Sequence, residues 1–181
     1  SGQIPQTAVP GKAILIAGSC SKMTLAQIAD YQAQNMPSVR MDPLALLNGT
    51  QTLDQIWEFI EQHTTKDQAV LVYSSDTPDK IRKYQEFGTE KIAALLEQTS
   101  ANLAQKAVEH GYTRIISAGG ETSGAITKGL HFSSYQIGES IAPGVPVMIP
   151  ATRSDIRLVL KSGNFGQEDF FSRALAMTKE K

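Results

Sequence analysis

A chain of 181 residues is long enough for one sizeable hydrophobic core, or for two small ones at most. Apolar residues make up 41% and charged residues 19%, which is typical of a soluble globular domain, and a net charge of −1 argues against a nucleic-acid partner. No apolar run reaches the ~18 residues of a membrane-spanning helix, and the one cysteine, Cys20, excludes an internal disulfide and a multi-cysteine zinc site. We therefore expect a cytoplasmic domain with no membrane partner, and the sequence leaves open whether it forms a homo-oligomer.

The first elements of the chain are predicted to be a strand and a helix. Residues 1–11 contain two prolines and read as a linker or a cloning remnant. Residues 12–18 form a short apolar run that ends in glycine, which is typical of a strand buried on both faces. A helical pattern begins at Thr24, with Leu25, Ile28 and Ala29 on one apolar face.

A second strand, a second helix and a third strand follow. The strand is predicted at residues 38–42, and residues 43–50 are predicted to be a helical turn or a loop. Residues 52–64 show the clearest helical pattern of the chain, with Thr52 as a candidate cap. Their apolar stripe consists of Leu53, Ile56, Trp57 and Ile60. Residues 68–75 repeat the composition of the first strand.

The rest of the chain continues this alternation. Residues 79–110 are predicted to be helical in two pieces broken near Gly88, and Gly111 is placed to end the second piece. The later elements are a buried strand at 113–120, short β-like runs at 129–150, a last strand at 156–161 and a closing helix at 168–180. The alternation predicts an α/β fold in three layers, with a largely parallel or mixed sheet flanked by helices, in one domain over residues 12–181.

Three of the predicted strands end in small, polar loops that contain glycine and precede helices. These loops are residues 18–21 (GSCS), 119–124 (GGETSG) and 162–166 (SGNFG). The carboxyl ends of parallel strands lie along one edge of a sheet, and ligands bind there at topological switch points. We therefore expect the three loops to lie close together, although they are far apart in the sequence.

The second of these loops has the properties of an anion site. Glycine exposes backbone N–H groups, and a helix that begins directly after the loop adds unpaired N–H groups and a partial positive charge. Thr122 and Ser123 are candidates either to cap this helix or to donate hydroxyls to phosphate oxygens, whereas Glu121 suits a magnesium ion, a ribose or a water. A tight turn without a ligand stays open for each loop, because the glycine patterns of P-loops and dinucleotide-binding folds are missing.

The other polar residues are assigned mainly structural roles. His63 and His110 lie near predicted helix C-termini, where the helix dipole accounts for them. Cys20 has no histidine partner fixed by spacing, and Asp76 is expected to cap a helix. Lys161 suits either a phosphate contact or an ordinary strand end. No metal-ligand set is assigned.

Four segments resemble one known family. The motifs AGGETSGAI, IAPGVPVM and LKSGNFGQEDFF, with GSCSKMTLAQI near the N-terminus, are similar to the C-terminal half of the four-carbon acid sugar kinases (3-oxo-tetronate kinases and relatives). The resemblance implies a domain that binds ATP, with magnesium, in a kinase that phosphorylates a hydroxyl of a four-carbon sugar acid. The residues that it implies for nucleotide contact are Ser19, Gly119, Gly120, Glu121, Thr122 and Gly163. We add Ser21 and Asn164 to this set because of their own positions in the loops.

The resemblance also implies a partner domain. The N-terminal half of the family holds the sugar-acid site and the presumed catalytic base, and it has no counterpart in this sequence. The catalytic residues are therefore unassigned, and we expect this chain alone to bind nucleotide without phosphorylating a sugar acid. A sugar-phosphate isomerase-like module and a non-catalytic nucleotide-sensing module stay open as alternatives, and the particular sugar acid is not determined.

Overall fold

The computed structural model describes residues 5–181 and contains a seven-stranded sheet with helices on both faces. The strands are β1 (Ala13–Ala17), β2 (Ser38–Arg40), β3 (Val70–Tyr73), β4 (Arg114–Ala118), β5 (Tyr135–Ala142), β6 (Val145–Pro150) and β7 (Arg157–Lys161). The helices are α1 (Lys22–Ala33), α2 (Pro43–Asn48), α3 (Leu53–His63), α4 (Pro78–Tyr84), α5 (Thr89–Glu109), α6 (Gly120–Leu130) and α7 (Phe170–Thr178), with a 3-10 turn at Gln85–Phe87. No helix in this described part is both long and apolar enough to cross a bilayer.

The sheet is mixed, with the strand order β2-β3-β1-β4-β7-β6-β5. The first five strands of this order run parallel, and β6 and β5 add an antiparallel hairpin next to β7. Gly144, with a φ of 77°, lies in the turn between the hairpin strands. The predicted α/β class is confirmed, and the departure from a wholly parallel sheet is confined to one edge.

The strands read as continuous apolar runs because the sheet has a hydrophobic layer on each face. On one face, Leu15 of β1 belongs to a buried cluster with Tyr31 of α1 and Phe171 of α7. On the other face, Ile16 of the same strand belongs to a cluster with Ile60 of α3, and this cluster includes residues of α5 and α6. The three-layer arrangement predicted from the sequence is therefore confirmed.

Local signals placed most helix ends correctly. Thr52 caps α3 in a capping box with Gln55, and Gly88, with a φ of 93°, separates the 3-10 turn from α5. The predicted apolar face of α1 is partly wrong, because Ala29 is exposed. The buried face of α1 consists of Thr24, Gln27, Ile28 and Tyr31. Two polar side chains lie on that face because they bind the loop after β7.

The start of the chain packs against the domain. Residues 1–4 of the predicted linker lie outside the described residues, but Val9 is buried and its N–H donates to the carbonyl of Thr178 at 2.9 Å. The Arg157 guanidinium donates to the carbonyls of Gln6 and Thr7. The segment from about Thr7 onward therefore packs against the elements of the domain.

Candidate functional site

The backbones of the three polar loops are joined at the carboxyl edge of the central strands. The N–H of Gly18, after β1, donates to the carbonyl of Ala118 in β4 at 2.9 Å. The N–H of Gly119, after β4, donates to the carbonyl of Lys161 in β7 at 2.7 Å. The predicted convergence of the loops is confirmed. Because β1 continues into a helix on one face and β4 into a helix on the other, the loops flank a topological switch point.

Glycine is needed in these loops because other residues approach its α-carbon closely. A Cβ at Gly18 would lie 1.9 Å from Thr122 Oγ1, and a Cβ at Gly163 would lie 2.6 Å from Ser19 Oγ. Gly119 has a φ of +111°, and a Cβ there would lie 3.0 Å from the backbone nitrogen of Ser19. The close approach brings Ser19, Thr122 and Gly163 to one place, as the sequence predicted.

The loop after β1 is closed by its own hydrogen bonds. Ser21 caps α1 by accepting from the Thr24 N–H at 3.1 Å, and its hydroxyl donates to the carbonyl of Gly163 at 2.6 Å. Ser19 Oγ accepts from the Ser21 N–H at 3.1 Å, which leaves the Ser19 O–H as a donor. Ser21, proposed from its position as a nucleotide contact, is thus already bonded within the protein and fixes the loops.

The loop after β4 leads into a helix that has no side-chain cap. Gly119 is the N-cap residue of α6 and makes no side-chain hydrogen bond to the first turn. Thr122 and Ser123 do not cap the helix, because they lie inside its first turn, and the Ser123 hydroxyl is hydrogen-bonded to Ser117 at 2.7 Å. The first amides of α6 are therefore available to a ligand at the positive end of the helix dipole.

Lys161 is a buried cation behind these loops. Its Nζ donates to the carbonyls of Ser162 and Gly163 at 2.9 and 2.8 Å, and it lies 3.2 Å from Thr24 Oγ1. Burial lowers the pKa of Lys161 to about 8. Neither sequence interpretation was right: the ammonium group is fully buried and holds the Gly163 loop. A lysine that ends a continuous apolar strand was the available signal.

The remaining predicted residues lie as follows. Asn164 is exposed, and Glu121 is exposed in the first turn of α6. His63 and His110 each contact a carbonyl in the last turn of their own helix with Nδ1, which agrees with a structural role. Asp76 accepts a hydrogen bond from the next backbone N–H, Thr77, and forms an ion pair with Arg40 at 2.7 Å that the sequence did not indicate.

The loops fit a nucleotide phosphate better than a metal ion on its own. Within residues 5–181 there is no group of three or more histidine, cysteine or acidic side chains that could hold a metal ion. Glu121 is the one carboxylate of the three loops. Mg²⁺ usually combines one or two carboxylates with phosphate oxygens and waters, so a single carboxylate beside a phosphate cradle fits a metal that binds together with a nucleotide.

Comparisons with known proteins agree with this geometry. Residues 14–171 match the family described as the nucleotide-binding C-terminal domain. The chain is 40% identical over 169 residues to a 3-oxo-tetronate kinase of Cupriavidus necator, covering 93% of this chain and 38% of that protein. It is 42% identical over 168 residues to a 3-oxo-tetronate kinase of Burkholderia multivorans, covering 92% of this chain and 39% of that protein.

A solved structure shows the same fold. The crystal structure of a Haemophilus influenzae protein of the DUF1537 family superposes with a TM-score of 0.89 at 36% identity, over 94% of this chain and 41% of that one. The chain thus spans about two fifths of the length of the relatives that it matches. The predicted resemblance is confirmed, and the chain belongs to the family of nucleotide-binding C-terminal domains.

Proposed function

We propose that this chain is the ATP-binding domain of a kinase that phosphorylates a four-carbon acid sugar, of the 3-oxo-tetronate or threonate type, on a hydroxyl. One observation carries the proposal: three loops converge on the uncapped N-terminus of α6 at a switch point of the sheet. The names of the two relatives, both 3-oxo-tetronate kinases, support the reaction class.

Each loop has a separate part in holding the nucleotide. The backbone amides of Gly120, Glu121 and Thr122 bind phosphate oxygens at the helix N-terminus. The free O–H of Ser19 donates to the same phosphates, and Gly163 helps to place Ser19, because a glycine lets the Ser19 hydroxyl lie close against this loop. When bound, Mg-ATP supplies the transferable γ-phosphoryl group, and Glu121 is placed to orient the metal or the ribose.

Phosphoryl transfer also requires an oriented acceptor hydroxyl. We assign the sugar-acid site and the catalytic base to the part of the relatives that this chain does not span, as an N-terminal partner domain. This chain alone therefore binds nucleotide and does not turn over.

The first test is calorimetric titration of this chain with ADP and ATP in the presence of Mg²⁺, with four-carbon sugar phosphates as the comparison. We expect binding of both nucleotides and none of the sugar phosphates. Binding of sugar phosphates with indifference to ATP would favour an isomerase-like module and contradict the proposal.

The second test measures ADP release with Mg-ATP and four-carbon sugar acids. We expect no turnover from this chain alone. We expect turnover when this chain is joined to the N-terminal part of a relative, which this chain does not span. Turnover by the isolated chain would refute the division of roles. Binding without turnover in the restored protein would instead indicate the nucleotide-sensing alternative.

A further inference from the structure

A second feature adjoins the phosphate loops: a cavity of about 240 Å³ between the carboxyl ends of the strands and the helices α4 and α5. Gly18 and Thr122 form the side that it shares with the loops, and Ile81, Ile92 and Leu96 contribute to its apolar wall. It is smaller than the ~300–1,000 Å³ of pockets that enclose a whole drug-sized ligand. The cavity is therefore sized for part of a ligand whose remainder lies in the loops.

One buried polar group in this cavity lacks a partner. Ser75, just after β3, lines the cavity and is 5% exposed, and its Oγ has no hydrogen-bond partner within the described residues. Buried hydroxyls are normally hydrogen-bonded, because an unpaired one loses its hydration without compensation. An unpaired hydroxyl in the same cavity as the apolar wall of Ile81, Ile92 and Leu96 indicates a ligand with an apolar surface and a hydrogen-bonding atom.

The outer wall of the cavity is fixed in place. The guanidinium of Arg40 donates to the carboxylate of Asp76 at 2.7 Å and to the hydroxyl of Tyr84 in α4. Tyr84 lines the cavity, so its hydrogen bond with Arg40 holds an aromatic ring beside the space. Such a wall suits a flat aromatic ring, which gains both stacking and burial against tyrosine and aliphatic side chains.

We propose that this cavity is the nucleobase subsite, and that Ser75 supplies its polar contact to the base. The inference rests on the proposed function, since it places the base of the same nucleotide whose phosphates bind α6. A purine satisfies both requirements, with two flat faces and ring nitrogens at its edge. The competing location is the groove between α5 and α6, which lies on the other side of Glu97 and Glu121.

Two neighbouring alanines of α5 separate these locations. Ala93 lines the cavity, and Ala94 lines the groove between α5 and α6. The experiment measures the affinity of Ala93→Trp, Ala94→Trp and the parent chain for ADP and for inorganic tripolyphosphate, which has phosphates but no base. Thermal melting verifies that each variant is folded.

We expect Ala93→Trp to weaken ADP binding by about 10-fold or more, the size of a lost base contact, and to leave tripolyphosphate binding unchanged. Ala94→Trp is expected to change neither. Ser75→Ala removes only the hydroxyl and does not obstruct the cavity. It is expected to weaken the binding of ADP, but not of tripolyphosphate, by about 5-fold, the size of one hydrogen bond.

The outcomes distinguish this inference from the proposed function. If the parent chain binds ADP but Ala93→Trp binds it equally well, the base lies elsewhere and the inference is overturned while the phosphate site stands. Loss of ADP binding in Ala94→Trp alone places the base in the groove and also overturns it. If the parent chain binds neither ADP nor tripolyphosphate, the proposed function itself fails, and the inference fails with it.

Discussion

The helices α1 and α6 follow neighbouring strands, but their N-termini are capped differently. α1 follows β1 and is capped by the Ser21 hydroxyl, which also binds the carbonyl of Gly163. α6 follows the neighbouring strand β4, and its N-cap residue, Gly119, offers no side chain. Both helices carry a positive dipole end, but only α6 leaves its first amides without a side-chain partner.

This difference shows that, at one edge of the sheet, one helix N-terminus stabilises the fold and the other is open to a ligand. A serine cap stabilises a helix at its start by satisfying an amide that would otherwise be free. A glycine in the same place gives up that stabilisation and leaves the amide to a ligand. Around α1, Lys161 and Ser21 instead fix the Gly163 loop.

The largest expected effect comes from adding a negative charge at the open helix end. Gly120 has no atom within 4 Å of a would-be Cβ, so Gly120→Asp fits the fold, and its charge favours the helix N-terminus. Its repulsion of phosphate is expected to weaken ADP binding by about 100-fold while thermal stability stays equal or rises.

A matched control lies one turn further along the same helix. Gly124 is also free of neighbours within 4 Å, so Gly124→Asp adds the same charge away from the helix end. Titration calorimetry of both variants is the measurement, and we expect Gly124→Asp to weaken ADP binding by less than about 5-fold. If the two substitutions weaken ADP binding equally, phosphate does not bind specifically at the N-terminus of α6.

The next effect concerns the pH dependence of stability. Burial lowers the pKa of Lys161 to about 8, below its value of 10.5 in the unfolded chain. Between these two pH values the unfolded state binds more protons, so the free energy of unfolding rises with pH. We expect the parent chain to gain roughly 2 kcal/mol between pH 8 and 10 relative to Lys161→Met, measured by urea unfolding.

Tyrosine ionisation sets the upper limit of that window. Burial raises the pKa of Tyr31 and of Tyr112 to about 12, so above pH 10 the unfolded chain loses protons first and stability falls. This fall is common to the parent chain and Lys161→Met. Parallel pH profiles of the two proteins between pH 8 and 10 would contradict the lowered pKa of Lys161.

A smaller effect is expected at the capped helix. Ser21→Ala removes the cap of α1 and the hydrogen bond to the Gly163 carbonyl, and is expected to cost about 1–2 kcal/mol of stability. Any loss of ADP affinity is expected to be secondary. Urea unfolding and calorimetry on one preparation check both, and a large affinity loss without destabilisation would make Ser21 a direct ligand.

The smallest effect is expected at Ser19, where the substitution is expected to lower ADP affinity more than stability. Ser19→Ala removes the free O–H donor and is expected to weaken ADP binding by about 3- to 10-fold, the size of one ordinary hydrogen bond. Stability is expected to change less than in Ser21→Ala, because Ser19 caps no helix. Unchanged ADP affinity would remove Ser19 from the binding set.

Much of the fold could be predicted from the sequence because its signals are local. Short apolar runs located the buried strands, Thr52 marked the start of α3, and Gly88 marked the break before α5. The general rule for parallel sheets then brought together loops that are distant in the sequence. The three-loop site therefore followed from a few local patterns and one topological rule.

The rest depended on tertiary contacts that no local pattern encodes. Ser19 and Ser21 are both serines just before α1, and only the backbone geometry shows that Ser21 is the cap. The burial of Lys161 and the polar face of α1 arise from contacts between segments about 140 residues apart, such as Gln27 with the carbonyl of Gln167. The cavity beside Ser75 exists because α4 folds back over the strand ends, which helical periodicity does not show.

The central claim is that nucleotide phosphates bind the open N-terminus of α6. The most direct measurement is an ADP titration of the ¹⁵N-labelled chain, in which backbone amide NMR shifts report each position separately. We predict that the largest shifts occur at the open amides of Gly120, Glu121 and Thr122, with small shifts in the first turn of α1. Saturating ADP binding with unmoved amides at 120–122 would contradict the account.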